Sequence, residues 1–135
     1  MFNTVSRYSP QLLGLLRIVA GVLFLSHGLV KLIGFPPGAQ PGQQQLLTLF
    51  GIGGVIELVT GALIALGLFT RPAAFVASGQ MAVAYWMFHA PQGPYPVANG
   101  GDAAILYCFL FLYLVAAGPG AFSLDNRGRG NIGGR

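Results

Sequence analysis

Charged residues are scarce in this sequence. Only 7% of its 135 residues are Asp, Glu, Lys or Arg, only three are acidic, and 54% are hydrophobic. A soluble domain normally carries about a quarter charged residues. A chain with so few cannot cover its surface with charge. This excludes an ordinary water-soluble domain and predicts that the lipid bilayer forms part of its solvent.

Cysteine and the common catalytic motifs are also nearly absent. Cys108 is alone, which excludes an intramolecular disulfide, and its apolar neighbours are typical of a core thiol. No Ser-His-Asp, phosphate-binding or zinc-binding pattern occurs, and the histidines lack the spacing of metal or haem ligands. The seven basic residues are scattered singly, so no nucleic-acid partner is expected. No metal site is predicted, and no cofactor is evident from a motif.

Four apolar stretches stand out, covering residues 11–33, 46–69, 72–90 and 102–118. Segments rich in Gly and Pro separate them, and each is close to the length that crosses about 30 Å of hydrocarbon. They predict an all-α protein: an integral-membrane bundle of four transmembrane helices forming a single domain over residues 1–135. Residues 123–135 are expected to form a flexible cytoplasmic tail.

The basic residues predict how the bundle lies in the membrane. Residues 33–45 and 91–101, which connect the first and third stretches to the next, contain no Lys or Arg. Positive charge is concentrated on the cytoplasmic side of membrane proteins. Both termini are therefore expected in the cytoplasm, because the N-terminal tail, the second loop and the C-terminal tail hold Arg7, Arg71, Arg127, Arg129 and Arg135.

Small residues predict where the helices pack. Gly14, Gly21 and Gly28 recur every seven residues in the first stretch, and Gly54 and Gly61 flank Glu57 in the second. Such spacing lets helix backbones approach closely where lipid supplies no hydrophobic driving force. We expect these five glycines to form helix contacts.

Glu57 falls where a spanning helix reaches the bilayer interior, so it requires a partner. Arg17, Lys31 and, at the edge, His27 lie on one face of the first helix. Arg17, His27, Lys31 and Glu57 are therefore predicted to form a polar cluster in the core, with Arg17 as the first partner of Glu57 and His27 as the second. The alternative is that the two basic side chains extend to opposite interfaces while a protonated Glu57 binds backbone.

Further polar residues fall in the outer half of the bundle. His89 closes the third stretch and Asp102 opens the fourth, near Tyr85. Asp102 is expected to cap the last helix. An ion pair between Lys31 and Asp102 is an alternative for the same residues.

Short fragments along nearly the whole chain, from about residue 15 to 125, resemble the DoxX family of membrane proteins. The second stretch contributes Gly54, Glu57 and Gly61. Related proteins often carry Glu where this chain has Asp102, which keeps the charge but shortens its reach. The remaining fragments are Arg17, Gly21-Val-Leu-Phe24, His27-Gly28, Lys31-Leu32, Gly67-Leu-Phe-Thr-Arg-Pro-Ala-Ala74, Met81-Ala-Val-Ala84, His89-Ala-Pro91, Asn99-Gly-Gly101, Gly118-Pro-Gly120 and Ser123-Leu-Asp125.

The resemblance implies a four-helix protein of the inner (plasma) membrane. It also implies a link to quinone-coupled sulfur oxidation, or to membrane assemblies that handle thiols and oxidative stress. The leading hypothesis is a small subunit of such a redox system, with quinone as a candidate ligand and redox subunits or a second copy as partners. The alternative is a non-catalytic scaffold, an assembly factor or a small-solute carrier.

Overall fold

The structure, a computed structural model, describes residues 1–127. Within that range the regular structure is entirely helical, and no β-strand occurs, which confirms the all-α prediction. A π-helical turn, Tyr85–His89, and a 3₁₀ turn, Ala90–Gln92, extend the fourth helix. The α-helices are α1 (Phe2–Ser6), α2 (Ser9–Ile33), α3 (Leu49–Leu66), α4 (Thr70–Ala84), α5 (Pro96–Asn99) and α6 (Asp102–Ala117).

Two of these helices, α2 and α3, are long and apolar enough to cross a membrane, and α6 is a shorter apolar helix. Each of the four long helices carries large apolar side chains on its outside: Leu23, Val59, Phe75 and Phe109 are all more than half exposed. A contiguous apolar exterior of this kind is unfavourable in water. It is the surface expected of a protein surrounded by lipid.

The ends of α2 and α3 follow from local sequence. Thr48 precedes α3, and its hydroxyl accepts a hydrogen bond from the Gly51 N–H at 3.1 Å. Gly34 and Gly67 end α2 and α3 with φ values of 69° and 67°. Glycine adopts this left-handed conformation without steric cost, so each helix ends where the sequence supplies one.

Helices α2 and α3 run antiparallel with their backbones in close contact. A Cβ atom on Gly21 would lie 2.5 Å from the Ala65 nitrogen, and one on Gly28 would lie 2.7 Å from the Gly54 carbonyl oxygen. No larger side chain fits there without separating the helices. The glycines therefore set the register between α2 and α3.

Helix α6 packs antiparallel along α4 and completes the core. The Ser78 hydroxyl donates to the Cys108 carbonyl at 2.7 Å. Phe24 from α2 reaches Phe111 across the bundle, with ring centroids 4.9 Å apart in an edge-to-face arrangement. The buried apolar core consists of Ala20, Phe24, Ile64, Ala73, Ala74, Ala77, Met81, Ala104, Phe111 and Leu114.

The chain after α6 turns back against the α3–α4 turn. Leu124 N–H donates to the Leu66 carbonyl at 3.1 Å, and the Asp125 carboxylate accepts from Phe69 N at 2.9 Å and Thr70 N at 3.0 Å. Leu124 and Asp125 therefore bind helix ends, at the start of the segment 123–135 for which the flexible cytoplasmic tail stays a prediction. Residues 128–135, with Arg129 and Arg135, lie outside the described part.

Candidate functional site

A cavity of about 510 Å³ lies between the helices, in the half of the bundle away from the α3–α4 turn. Its wall is mainly apolar and aromatic, with contributions from Phe24, Phe50, Phe88 and Tyr107. Polar residues also line it, among them Lys31, Glu57, Gln80 and the two histidines, His27 and His89. An apolar pocket with a few convergent polar groups is the usual form of a small-molecule site.

An ion pair and an amide form the polar part of this wall. Lys31 Nζ lies 2.6 Å from Glu57 Oε1, and Gln80 Nε2 donates to the same oxygen at 3.2 Å. Glu57 is 2% exposed, so its charge is offset by lysine rather than by water. We call Lys31, Glu57 and Gln80 the polar triad.

The expected pairing of Arg17 with Glu57 is wrong. The register between α2 and α3 places Arg17 beside Ile64 and Ala65, two turns beyond Glu57 along α3. At about 1.5 Å of rise per residue, that separation exceeds the reach of the arginine side chain. Lys31 takes the position predicted for Arg17. Since it binds Glu57, it does not form the alternative pair with Asp102.

Arg17 instead ties three segments together at the opposite end of the bundle. Its side chain is fully buried. Nε donates to the Pro119 carbonyl at 2.7 Å, and the remaining four hydrogen bonds, of 2.8–2.9 Å, go to the carbonyls of Ile64, Ala65, Ala121 and Phe122. A guanidinium group has five N–H donors, and all five are used. The carbonyls at the end of α3 also carry the negative end of the helix dipole, which favours a cation there. We call Arg17 and these carbonyls the arginine latch.

The predicted four-residue core cluster is therefore divided between two places. Lys31 and Glu57 belong to the polar triad, and Arg17 belongs to the arginine latch. His27 lines the cavity but is exposed, and its ring meets Tyr107 edge-on at 6.2 Å between centroids.

The outer-half residues form a second small network at the cavity end. His89 Nδ1 lies 3.1 Å from the Asn99 carbonyl oxygen, and its ring stacks on Tyr85 at 6.3 Å. The buried Asn99 amide donates to the Tyr85 hydroxyl at 3.3 Å and to the Gly93 carbonyl at 2.9 Å, while its oxygen accepts from Gly101 N. This network fixes the loop before α6.

Asp102 differs from its expected role. Gly101 occupies the capping position of α6, with no side-chain cap, and Asp102 is the exposed first residue of the helix. Its charge there is favourable to the helix dipole. No group of three or more metal-ligating side chains occurs among residues 1–127.

The packing glycines have distinct neighbours. Gly54 and Gly61 face α2, where Cβ atoms would approach Lys31 and Leu25 at 2.8 and 2.7 Å. A Cβ on Gly14 would overlap the Ala121 carbonyl, so this glycine accommodates the segment after α6 rather than α3.

Sequence reasoning missed Gln80, Tyr107 and the structural role of Asn99. A signal existed for Gln80, because it is a long polar side chain in the apolar third stretch. Placing it opposite Glu57 required the α3–α4 register. Tyr107 carried no such signal among the many aromatic residues of α6.

Comparison with known proteins gives one family. The DoxX family model matches residues 12–90, which include Arg17, the polar triad and His89. An uncharacterized protein of Haemophilus influenzae is 44% identical over 133 residues, covering 93% of this chain and 96% of that protein. No solved structure matches the chain.

Two further relatives are described as membrane proteins. An uncharacterized membrane protein of Mycobacterium tuberculosis is 30% identical over 128 residues, covering 83% of this chain and 78% of that protein. The inner membrane protein YphA of Escherichia coli is 33% identical over 129 residues, covering 87% of this chain and 91% of YphA. Together with the family match and the apolar helices, these relatives show that the chain belongs to the DoxX family of membrane proteins.

Proposed function

We propose that this DoxX protein binds a small amphiphilic molecule in the cavity, as a subunit of a membrane redox system, with a quinone as the first candidate ligand. It would be a multi-pass protein of the inner membrane, with four crossing helices and both termini in the cytoplasm.

The distribution of charge supports this orientation. Arg17 and Arg71 bind carbonyls at the same end of the bundle, where Arg71 Nη1 donates to Val115 and Ala116 at 3.0 Å. The opposite loops, 34–48 and 93–101, carry no basic residue. Loops with basic residues on one side of the membrane only are the pattern that marks a cytoplasmic face. The relative YphA is itself described as an inner membrane protein.

The cavity is the observation that carries the proposal. Its volume of about 510 Å³ falls in the range of roughly 300–1,000 Å³ that is usual for small-molecule sites. Aromatic walls suit a flat ring, and exposed apolar residues that also line the cavity, Ile52 and Val83, suit the tail of a lipid-soluble molecule. Lys31 and Tyr107 both line the cavity, and their side chains carry hydrogen-bond donors that suit ring oxygens. Electrons would come from, or pass to, a partner subunit.

The direct test is to purify the protein in a mild detergent and analyse it in two ways. Mass spectrometry of extracted small molecules is expected to find a quinone. Titration with decylubiquinone is expected to raise the thermal unfolding temperature, because a ligand that binds only the folded state stabilises it.

A matched pair of variants links that binding to the cavity. Ala84 lines the cavity and Ala82 does not, although both lie on α4 and are half-buried. Ala84→Phe should abolish the stabilisation by decylubiquinone, and Ala82→Phe should retain it. A quinone-free protein that decylubiquinone does not stabilise would contradict the redox function. It would support the alternative of a scaffold, an assembly factor or a small-solute carrier.

A further inference from the structure

Two buried hydrogen-bond acceptors of cavity-lining residues have no donor in the described part of the chain. Glu57 Oε2 and Gln80 Oε1 are both inaccessible to solvent and accept no hydrogen bond from residues 1–127. Both residues line the cavity. A buried acceptor without a partner is unfavourable, so such atoms are rare unless a ligand or a water satisfies them.

The other polar atoms of these two side chains cannot donate hydrogen bonds to the two unpaired acceptors. Gln80 Nε2 donates to both the Gly53 carbonyl at 3.0 Å and Glu57 Oε1 at 3.2 Å. These two acceptors require the amide nitrogen on that side, which fixes the amide orientation and leaves Oε1 as an acceptor. Glu57 Oε1 is likewise occupied by Lys31. The polar triad therefore holds two acceptors that no group of residues 1–127 satisfies.

We infer that the cavity selects ligands with a neutral hydroxyl group, as in a phenol or a quinol, over the same ring without a hydroxyl hydrogen. A cationic donor is disfavoured because the Lys31 ammonium lies beside the acceptors. A ligand with only carbonyl or ether oxygens binds the Lys31 ammonium but leaves Glu57 Oε2 and Gln80 Oε1 unpaired. An acceptor left unpaired weakens the binding of such a ligand, so a quinone is expected to bind, but less tightly than the corresponding quinol. This inference rests on the proposed function, because it requires that the cavity bind a ligand.

Two probes that differ by one methyl group test it: 4-nonylphenol and its methyl ether, 4-nonylanisole. Their affinities are measured by isothermal titration calorimetry in the same detergent, with protein-free micelles as the correction for partitioning. The phenol is expected to bind at least about 10-fold more tightly, because the ether leaves buried acceptors unpaired. Equal affinities would overturn the inference while the ligand cavity stands. If neither probe binds, both the inference and the proposed function are contradicted.

A variant pair assigns the preference to the polar triad. Gln80→Met removes one acceptor at nearly constant volume, and the preference for the phenol should fall to less than about threefold. Ser78→Ala is the control, because it removes a buried hydroxyl from the same helix. That hydroxyl binds the Cys108 carbonyl, and Ser78 does not line the cavity, so the preference for the phenol should be unchanged. A preference that survives in Gln80→Met as in Ser78→Ala would overturn the assignment. The comparison of the two probes on the unaltered protein requires no variant to fold.

Discussion

Replacing Arg17 with lysine keeps the positive charge but removes the geometry of the arginine latch. The guanidinium group donates five hydrogen bonds to five different carbonyls. A lysine ammonium has three donors, so at least two carbonyls lose their bond. If charge alone mattered at this position, Arg17→Lys would be nearly neutral. If the five hydrogen bonds of the guanidinium group matter, the variant will be strongly destabilised.

The contacts give the size of the effect. A hydrogen bond to a charged group contributes about 1.5–3 kcal/mol, so two lost bonds predict about 3–6 kcal/mol. The carbonyls after α6 are only partly buried, and water can replace part of the lost bonding. We therefore expect a loss near the lower limit, about 3 kcal/mol in the free energy of unfolding.

Unfolding by increasing SDS mole fraction in mixed micelles, followed by helical circular dichroism, measures this free energy. Arg7→Lys is the control: Arg7 is exposed and binds the Tyr8 hydroxyl, so it should change stability by less than about 0.5 kcal/mol. Amide hydrogen exchange adds a local readout, since Ala121 N, bound to the Pro10 carbonyl, should exchange faster in Arg17→Lys. An Arg17→Lys protein within about 1 kcal/mol of the unaltered one would refute the reasoning.

Three further predictions use the same unfolding measurement. Gly21→Ala should lower the free energy of unfolding by about 1–3 kcal/mol, because its Cβ would collide with the α3 backbone. Gly79→Ala should not lower it, because a Cβ there would meet no described atom within 4 Å beyond its own helix backbone and chain neighbours. Equal effects of the two substitutions would argue against close α2–α3 packing. Lys31→Met should lower the free energy of unfolding by about 3–5 kcal/mol, because the buried Glu57 carboxylate loses its partner. Adding Glu57→Leu to this variant should restore most of the lost stability. A double variant that is no more stable than Lys31→Met would count against the ion pair. Asp125→Ala should lower the free energy of unfolding by about 1 kcal/mol, because α4 loses the carboxylate that caps its first N–H groups. Asp102 is exposed, so Asp102→Ala should lower it by less. The reverse order would exclude Asp125 as the cap.

The helices and their contact faces could be predicted from the sequence because both depend on local patterns. Apolar stretches bounded by Gly and Pro correspond to α2, α3, α4 and α6, and the seven-residue spacing of Gly21 and Gly28 marks the face that meets α3. The position of Glu57 on an inward face also follows from the small residues around it. Each of these inferences needs only one helix at a time.

The partner of Glu57 could not be predicted, because it depends on how far α2 is shifted along α3. Gly28 lies against Gly54, and Gly21 lies against Ala65. That register brings Lys31 within reach of Glu57 and leaves Arg17 about ten residues, or roughly 15 Å, away from the level of the carboxylate. The seven-residue spacing of Gly14, Gly21 and Gly28 was visible in the sequence. It does not fix the register, because shifting α2 along α3 by seven residues again places a glycine against α3. The role of Arg17 further required the return of residues 118–122, which no helical periodicity encodes.

The two polar groups of the bundle differ in one respect that bears on function. In the arginine latch every donor of a fully buried side chain is satisfied by backbone, so any incoming molecule would have to break existing bonds. In the polar triad two buried acceptors accept no hydrogen bond from residues 1–127, and both of their side chains belong to residues that line the cavity. A fully satisfied polar network rigidifies a structure, whereas a partly satisfied one is unfavourable until a donor completes it. Arg17 therefore joins three segments at one end of the bundle, and we propose that a ligand binds at the other end, beside Lys31, Glu57 and Gln80.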